Sequence, residues 1–215
     1  ERLRADLRSS LDGAESVSLM RIPLLMVFDF GVREFTVEGD PRGGDETSQF
    51  PFNIVSPDHF RTLKIPLLAG RDFDQRDDVS SAAVTIVNET FARRFWGSPD
   101  AAIGRRVRTA DWRSGVPEWM RVVGVARDIK YARLNEEPTP YVCLPFAQAY
   151  GANMLVHVRG VADTPTLVER VRQRIAMLDP NVPILEARPL AEQTALGTSI
   201  YEVAASVLGF IGIAA

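Results

Sequence analysis

Apolar positions along the chain recur with two periods, about 3.6 residues and 2 residues, and the two patterns alternate. In ERLRADLRSSL, Leu3, Leu7 and Leu11 share one face of a helix. ESVSLM is short and strand-like, and REFTVEG at 33–39 alternates apolar with polar residues as a half-buried strand does. The turn-rich GDPRGGDETSQ separates it from a further strand, FPFNIV. SPDHFRTL reads as a helix start, with Ser56 as N-cap, Pro57 where a missing N–H costs nothing, and Asp58 at the positive end of the dipole. Phe60 and Leu63 then fall on one face. In AAVTIVNETFARRFWG the β-branched run 84–87 predicts a strand, Asn88 caps a helix that turns Phe91 and Phe95 inward, and Gly97 ends it.

After the turn SPDAAIG, RRVRTA and MRVVGVARDI read as strands separated by DWRSGVPEW, whose Gly-Val-Pro predicts a hairpin loop. TPYVCLPF is a short strand framed by prolines, expected at a sheet edge, and NMLVHVRG alternates cleanly. TPTLVERVRQRIAMLD is a strong helix, followed by PNVPILEARPL as strand. The last two elements echo the first two. ERLRADLRSSLDGAESVSLMR and ERVRQRIAMLDPNVPILEAR share a basic amphipathic helix, Leu-Asp, a turn, a short strand and Arg. Two such units fit a pseudo-symmetric α+β lobe whose halves are separated by an insert, although helix followed by strand also arises by chance.

The 215 residues, 46% apolar and 25% charged, suffice for one large domain or two small ones with real cores. A net charge of −3, with Arg and Lys scattered among acids, offers no basic face, so nucleic acid is not an expected partner. The single cysteine, Cys143, excludes an internal disulfide framework and a multi-thiolate zinc site. The opening residues read as a helix already under way, which predicts a preceding segment. At the other end, residues 201–215 carry no charge after Glu202, and 13 apolar or small residues match the first half of a membrane-spanning helix. Ala204, Ala205, Ser206, Gly209 and Gly212 favour close packing in a membrane; a C-terminal helix packed on the core is the alternative.

Candidate chemistry is thin. Ser56, Asp58 and His59 are too close in one helix for a nucleophile and base, which converge from different elements. His59, His157 and Cys143 lack the short spacings of a metal site. RDFDQRDD, with Asp72, Asp74, Asp77 and Asp78, lacks the glycine and closing glutamate of a calcium loop and carries Arg76 inside it. No phosphate-binding lysine loop and no dinucleotide fingerprint occur. No catalytic, cofactor-binding or metal residue is therefore expected, no cofactor is implied, and the chain does not read as an enzyme.

VSPDHFRTLKIPLLAGRDF, VTIVNETFARRFWG, IGRRV, RVVGVARDIKYARLNEEPTPYVCLPF and the closing apolar segment, in that order, resemble the extracytoplasmic core domain of MacB-like and FtsX-like ABC transporter permeases. The acidobacterial duplicated orphan permease group is the most similar. The resemblance implies an α+β domain between two transmembrane helices, made of two lobes. Residues 1–73 and 151–195 would form a porter-like α+β lobe, residues 74–150 an inserted mostly-β lobe, and residues 201–215 the start of the second transmembrane helix. It also implies mechanotransmission from a cytoplasmic ABC ATPase, a second permease copy or half as dimer partner, a possible periplasmic partner protein or cargo, and location on the periplasmic side of the inner membrane. The alternative is a membrane-anchored ligand-binding or sensor domain, for which Trp96, Trp112, Trp119 and Tyr131 are the aromatics available. RIPLLMVFDFGVREF is more apolar than the loop expected there, marking extra core or a contact surface.

Overall fold

The computed structural model describes residues 2–11, 13–25, 31–40, 47–110, 117–149, 151, 153–161 and 164–192. Residues 201–215, Trp112 and the centres of the two turn-rich loops lie outside them, and so does the expectation of a membrane helix. Among the described residues no helix is long and apolar enough to cross a membrane. The elements run α1 (Arg2–Ser10), β1 (Ala14–Met20), β2 (Val32–Val37), β3 (Thr47–Val55), α2 (His59–Thr62), β4 (Leu67–Gly70), β5 (Val84–Asn88), α3 (Glu89–Trp96), α4 (Pro99–Ala102), β6 (Arg106–Ala110), β7 (Pro117–Ala126), β8 (Val142–Pro145), β9 (Leu155–Gly160) and α5 (Thr164–Leu178). The chain is thus α+β, as expected.

Among the described residues all nine strands belong to one hydrogen-bonded sheet, ordered β2-β6-β7-β5-β8-β3-β1-β9 with β4 on β7. β2 also pairs with β3, so β2, β6, β7, β5, β8 and β3 close into a six-stranded ring. Closure satisfies backbone groups that would otherwise lie along two open edges. Every ring strand sends alternate residues inward: Phe35, Phe50, Val87, Val107, Val122 and Leu144 are among those that meet in one buried cluster. α3 plugs this interior with Phe91, whose ring lies 5.1 Å from Phe50, edge to face. Asn88 caps α3 as expected, accepting from Phe91 N at 3.1 Å, and Gly97 ends the helix in the left-handed region at φ 84°.

β1 and β9 extend the sheet beyond the ring. β1 touches β3 at Met20↔Val55 and pairs with β9 along its length. One face of this pair is apolar: Val17 packs with Leu7 and Leu11 at the end of the first helix and with Ile175 of α5. Asp6 accepts two hydrogen bonds from Arg174, each 2.6 Å, and so clamps α1 to α5. The two similar helices therefore lie side by side. Their strands do not, because residues 182–188 form no strand, with Leu185 94% exposed, and β1 takes β9 as partner instead. The similarity of the two units ends at their helices.

Two further expectations change. The proline-framed β8 is not an edge: it lies between β5 and β3, and all four of its residues are buried. Pro145, its last residue, needs no ladder N–H there. The helix expected over 56–63 contracts to the four residues of α2, because Asp58 sits at φ 66°, a left-handed conformation that a helix cannot pass through.

β4 and β7 approach so closely that only glycine fits. A Cβ on Gly124 would lie 2.3 Å from the Arg71 carbonyl oxygen and 3.3 Å from Ile86 Cγ1. Gly124→Ala is expected to cost about 3 kcal/mol or more by forcing the backbones apart. Gly39→Ala, at φ 78° with nothing within 4 Å, should cost only about 1 kcal/mol. Urea denaturation of the two variants checks the contrast.

Candidate functional site

The most polar stretch of the sequence, residues 53–73, lies where the ring meets the β1–β9 extension. Asn53 is buried on β3, and its Oδ1 accepts from Arg21 N at 3.2 Å, Ile22 N at 2.9 Å and Ile54 N at 2.9 Å. Its Nδ2 donates to the Ile22 carbonyl at 2.8 Å. Ser56 Oγ accepts from Leu19 N at 2.8 Å and donates to the Pro57 carbonyl at 3.0 Å, so it ties β1 to the end of β3 rather than capping α2. Asp58 faces α1, accepting from Arg4 at 3.2 Å and Arg8 at 2.9 Å. A nucleophile, a base and an orienting acid are absent from this arrangement, because Ser56 and Asp58 point to different partners.

The acidic run is equally occupied. Arg71 donates to both oxygens of Asp77, at 2.7 Å each, a bidentate pair with Asp77 buried. Asp74 accepts from Arg76, whose hydrogen bonds hold its carboxyl well below the usual carboxylate range. Asp78 accepts from the backbone N–H groups of Ser80 at 2.8 Å and Ser81 at 3.0 Å, closing a turn. Asp72 differs: burial pushes its carboxyl up to about 6, opposed by the hydrogen bond from Phe73 N at 2.7 Å. Among the described residues no group of three or more His, Cys, Asp or Glu side chains is placed to hold a metal ion. Cys143 is buried on β8, and burial raises its thiol far above the ordinary value.

The structure brings together residues that the sequence leaves far apart. Ser18 pairs with His157 and Ser16 with Arg159 across β1 and β9, so these four side chains share the face opposite the apolar one. α2 covers that face with His59 and Thr62, both buried. The result is a polar seam in which Ser16 Oγ, Ser18 Oγ, Thr62 Oγ1 and the Nδ1 atoms of His59 and His157 are buried with no hydrogen-bond partner among the described residues. Burial pushes the His59 imidazolium down to about 3, with His157 as the lesser cause, and lowers His157 as well. The alternation of β1 and β9 holds the signal for this seam, but only their register brings Ser18 opposite His157.

A second feature is a cavity of about 180 Å³ beside the ring, lined by Phe52, Pro51, Ile22 and the stacked pair Tyr131 and Tyr141. The two tyrosine rings lie 3.6 Å apart and 7° from parallel. Glu136 forms its polar side, and its carboxylate is already spent on the backbone N–H groups of Tyr131, Ala132 and Arg133. Trp96 donates from its indole to the Glu38 carbonyl at 2.9 Å, and Trp119 lies beneath the guanidiniums of Arg106 and Arg108, so both are structural anchors away from this cavity.

A closed β ring with a helix-clamped extension defines an α+β domain. The chain belongs to the family of MacB-like periplasmic core domains, whose sequence pattern it matches over residues 10–174. Such domains are extracytoplasmic parts of ABC transporter permeases, which work with cytoplasmic ATPases. The fold is similar to the periplasmic region of MacB from Actinobacillus actinomycetemcomitans, at 13% identity, covering 82% of this chain and 72% of that one with a TM-score of 0.57. It is also similar to the extracellular domain of the noncanonic ABC-type transporter YknZ from Gram-positive bacteria, at 18% identity, covering 83% and 80% with a TM-score of 0.50. No curated protein sequence matches the chain.

Asn53 is the joint of this region, since its one carboxamide serves four backbone groups. Asn53→Ala is expected to strand buried donors at Ile22 and Ile54 and to cost about 2 to 3 kcal/mol. Asn53→Asp should also destabilise, by removing the donor to the Ile22 carbonyl. Thermal unfolding followed by circular dichroism reads both effects.

Proposed function

We propose that this domain is a non-catalytic, force-transmitting part of its permease. Motion driven by a cytoplasmic ABC ATPase would enter through the membrane and reach a periplasmic partner protein or cargo. The observation that supports this reading most directly is the continuous path from terminal helices to ring. α1 and α5 are clamped by Asp6 and Arg174, the strands β1 and β9 beneath them pair along their length, and β1 is tied into β3 through Ser56, with Asn53 bracing the residues that follow β1. A displacement of α1 relative to α5 therefore loads the ring through hydrogen bonds rather than through a flexible linker. On this reading the domain sits on the periplasmic side of the inner membrane and works beside a second permease copy. The expected porter-like lobe, residues 1–73 and 151–195, and inserted lobe, residues 74–150, would then share the ring, since β2, β3 and β4 of the first pair with β6, β8 and β7 of the second. Residues 201–215 begin the second transmembrane helix.

The competing reading, a ligand-binding or sensor domain, rests on the cavity beside Tyr131 and Tyr141. At about 180 Å³ it is smaller than the roughly 300–1,000 Å³ of ordinary small-molecule sites.

A spin label tests the transmission directly. Arg172 is exposed on α5, and Cys143 is buried and stays unlabelled, so Arg172→Cys in the whole permease, reconstituted with its ATPase, reports the spacing between copies. ATP is expected to shift the distance distribution measured by pulsed electron resonance. An unchanged distribution with ATP, alongside a change on adding cargo alone, would favour the sensor reading.

The membrane assignment of residues 201–215 has its own test. Deleting them from the isolated chain should leave the melting temperature nearly unchanged and lower self-association, because an uncharged helix outside a membrane exposes apolar surface. Unfolding of the domain on deletion would instead make the segment a core helix.

A further inference from the structure

The polar seam between α2 and the β1–β9 pair lies on the face of that pair turned away from α1 and α5, and it concentrates in one place five buried polar atoms without partners among the described residues. We propose that α2 is a proton-operated latch, docked on β1 and β9 while His59 and His157 are neutral and released when they acquire charge. The proposal stands independently of the permease reading, since it concerns packing within this chain alone.

The surroundings of His59 decide the direction. From β1 come only the hydroxyls of Ser16 and Ser18, which offer no charge, and the Glu15 carbonyl is taken by Arg61 at 2.7 Å. From β9 come His157 and the cation Arg159, whose Nε donates to the Thr62 carbonyl at 2.6 Å. On its own element stand Arg61 and Asp58, and the Asp58 carboxylate is engaged with Arg4 and Arg8 of α1. Among the described residues no carboxylate is paired with His59, the Asp72 carboxylate being turned to Phe73 N, so a charged His59 must reach water, and α2 has only four residues to hold it back.

The sign follows from burial. A histidine whose folded value lies below its unfolded value leaves docking undisturbed above about pH 6.5 and opposes it increasingly as pH falls toward the folded value. His59, held at about 3 when docked, weakens docking roughly thirtyfold at about pH 5. His157 is shifted in the same direction. Asp72, near Asp58 and raised to about 6, acts the other way, favouring the docked state by at most roughly tenfold at about pH 5 if release also wets it. The histidines win by at least threefold, and release in acid is the net result.

Hydrogen exchange on the 215-residue chain reads the latch at two amides, Leu63 N bonded to the His59 carbonyl at 3.1 Å and Ile65 N bonded to the Phe60 carbonyl at 2.8 Å. Between about pH 7.5 and about pH 5, their protection factors, corrected for intrinsic exchange, should fall at least threefold, and roughly thirtyfold or more in Asp72→Asn. Val122 N, bonded to the Arg105 carbonyl inside the ring, should keep its protection. In His59→Gln/His157→Gln the loss of protection at Leu63 and Ile65 should disappear, leaving either no change or the gain of up to roughly tenfold that Asp72 supplies. If that variant does not fold, imidazole titration of the unaltered chain by NMR serves instead, with both values expected below the ordinary histidine value of about 6.5. The proposal is overturned if both imidazoles titrate near their ordinary value, if the loss at Leu63 persists in the double variant, or if Val122 loses protection in step with Leu63.

Discussion

The closure of β2 onto β3 is the constraint from which the rest of the fold follows. A six-stranded ring leaves no open edge among its members, so every inward position must be filled from the ring's own sequence or by the helix that plugs it. Phe35, Phe50 and Phe91 do this, with Phe50 in edge contact with both Phe91 and Phe95. The outward positions are then committed as well. Val84 and Ile86 of β5, Val123 of β7 and Cys143 of β8 form a second layer, which α2 covers with Phe60 and the segment after it with Ile65 and Phe73. A bulge in β7 against Thr85 and Ile86 switches the alternation, and so Val122 and Val125 both point inward although three residues apart.

β3 carries an unusual share of this organisation. Its first half pairs with β2 and its second half runs parallel to β8, while its last residue meets β1. At that corner the backbone of residues 21 and 22 leaves regular pairing, and the Asn53 carboxamide supplies the missing partners. A side chain is thus doing what a strand would do elsewhere, which is why one asparagine in an otherwise apolar FPFNIV run is tolerated in the core.

Local pattern was enough to find most elements, because helix and strand periods are set within a few residues. Leu7 and Leu11, the run 84–87, the Asn88 cap and the Gly97 stop all behave as their spacing predicts. Expectation and structure part where a distant partner decides. Ser56 is a reasonable N-cap by type, but Leu19 N lies 37 residues away and takes its hydroxyl. Prolines around β8 favour an edge strand, but ring closure puts β8 between two neighbours. Residues 182–188 have strand composition and no partner, since β9 already occupies β1. The polar seam was invisible for the same reason: Ser16, Ser18 and His157 are ordinary strand-face residues until register and α2 enclose them.

What the domain can do is bounded by where its polar groups went. In the acidic loop Asp74, Asp77 and Asp78 close turns or pair with arginine, and in the 53–58 corner Asn53, Ser56 and Asp58 brace one element against another. Groups held in this way brace the junction between ring and extension. Stiffness is the property that the proposed force transmission would require, since a joint with several short hydrogen bonds moves as a body where a solvated linker would absorb the displacement. The seam beneath α2 is the exception, a place where buried polar atoms are left without partners while the surrounding joint is satisfied. Such imbalance costs stability, and it makes α2 the weakest point of a region otherwise braced on every side.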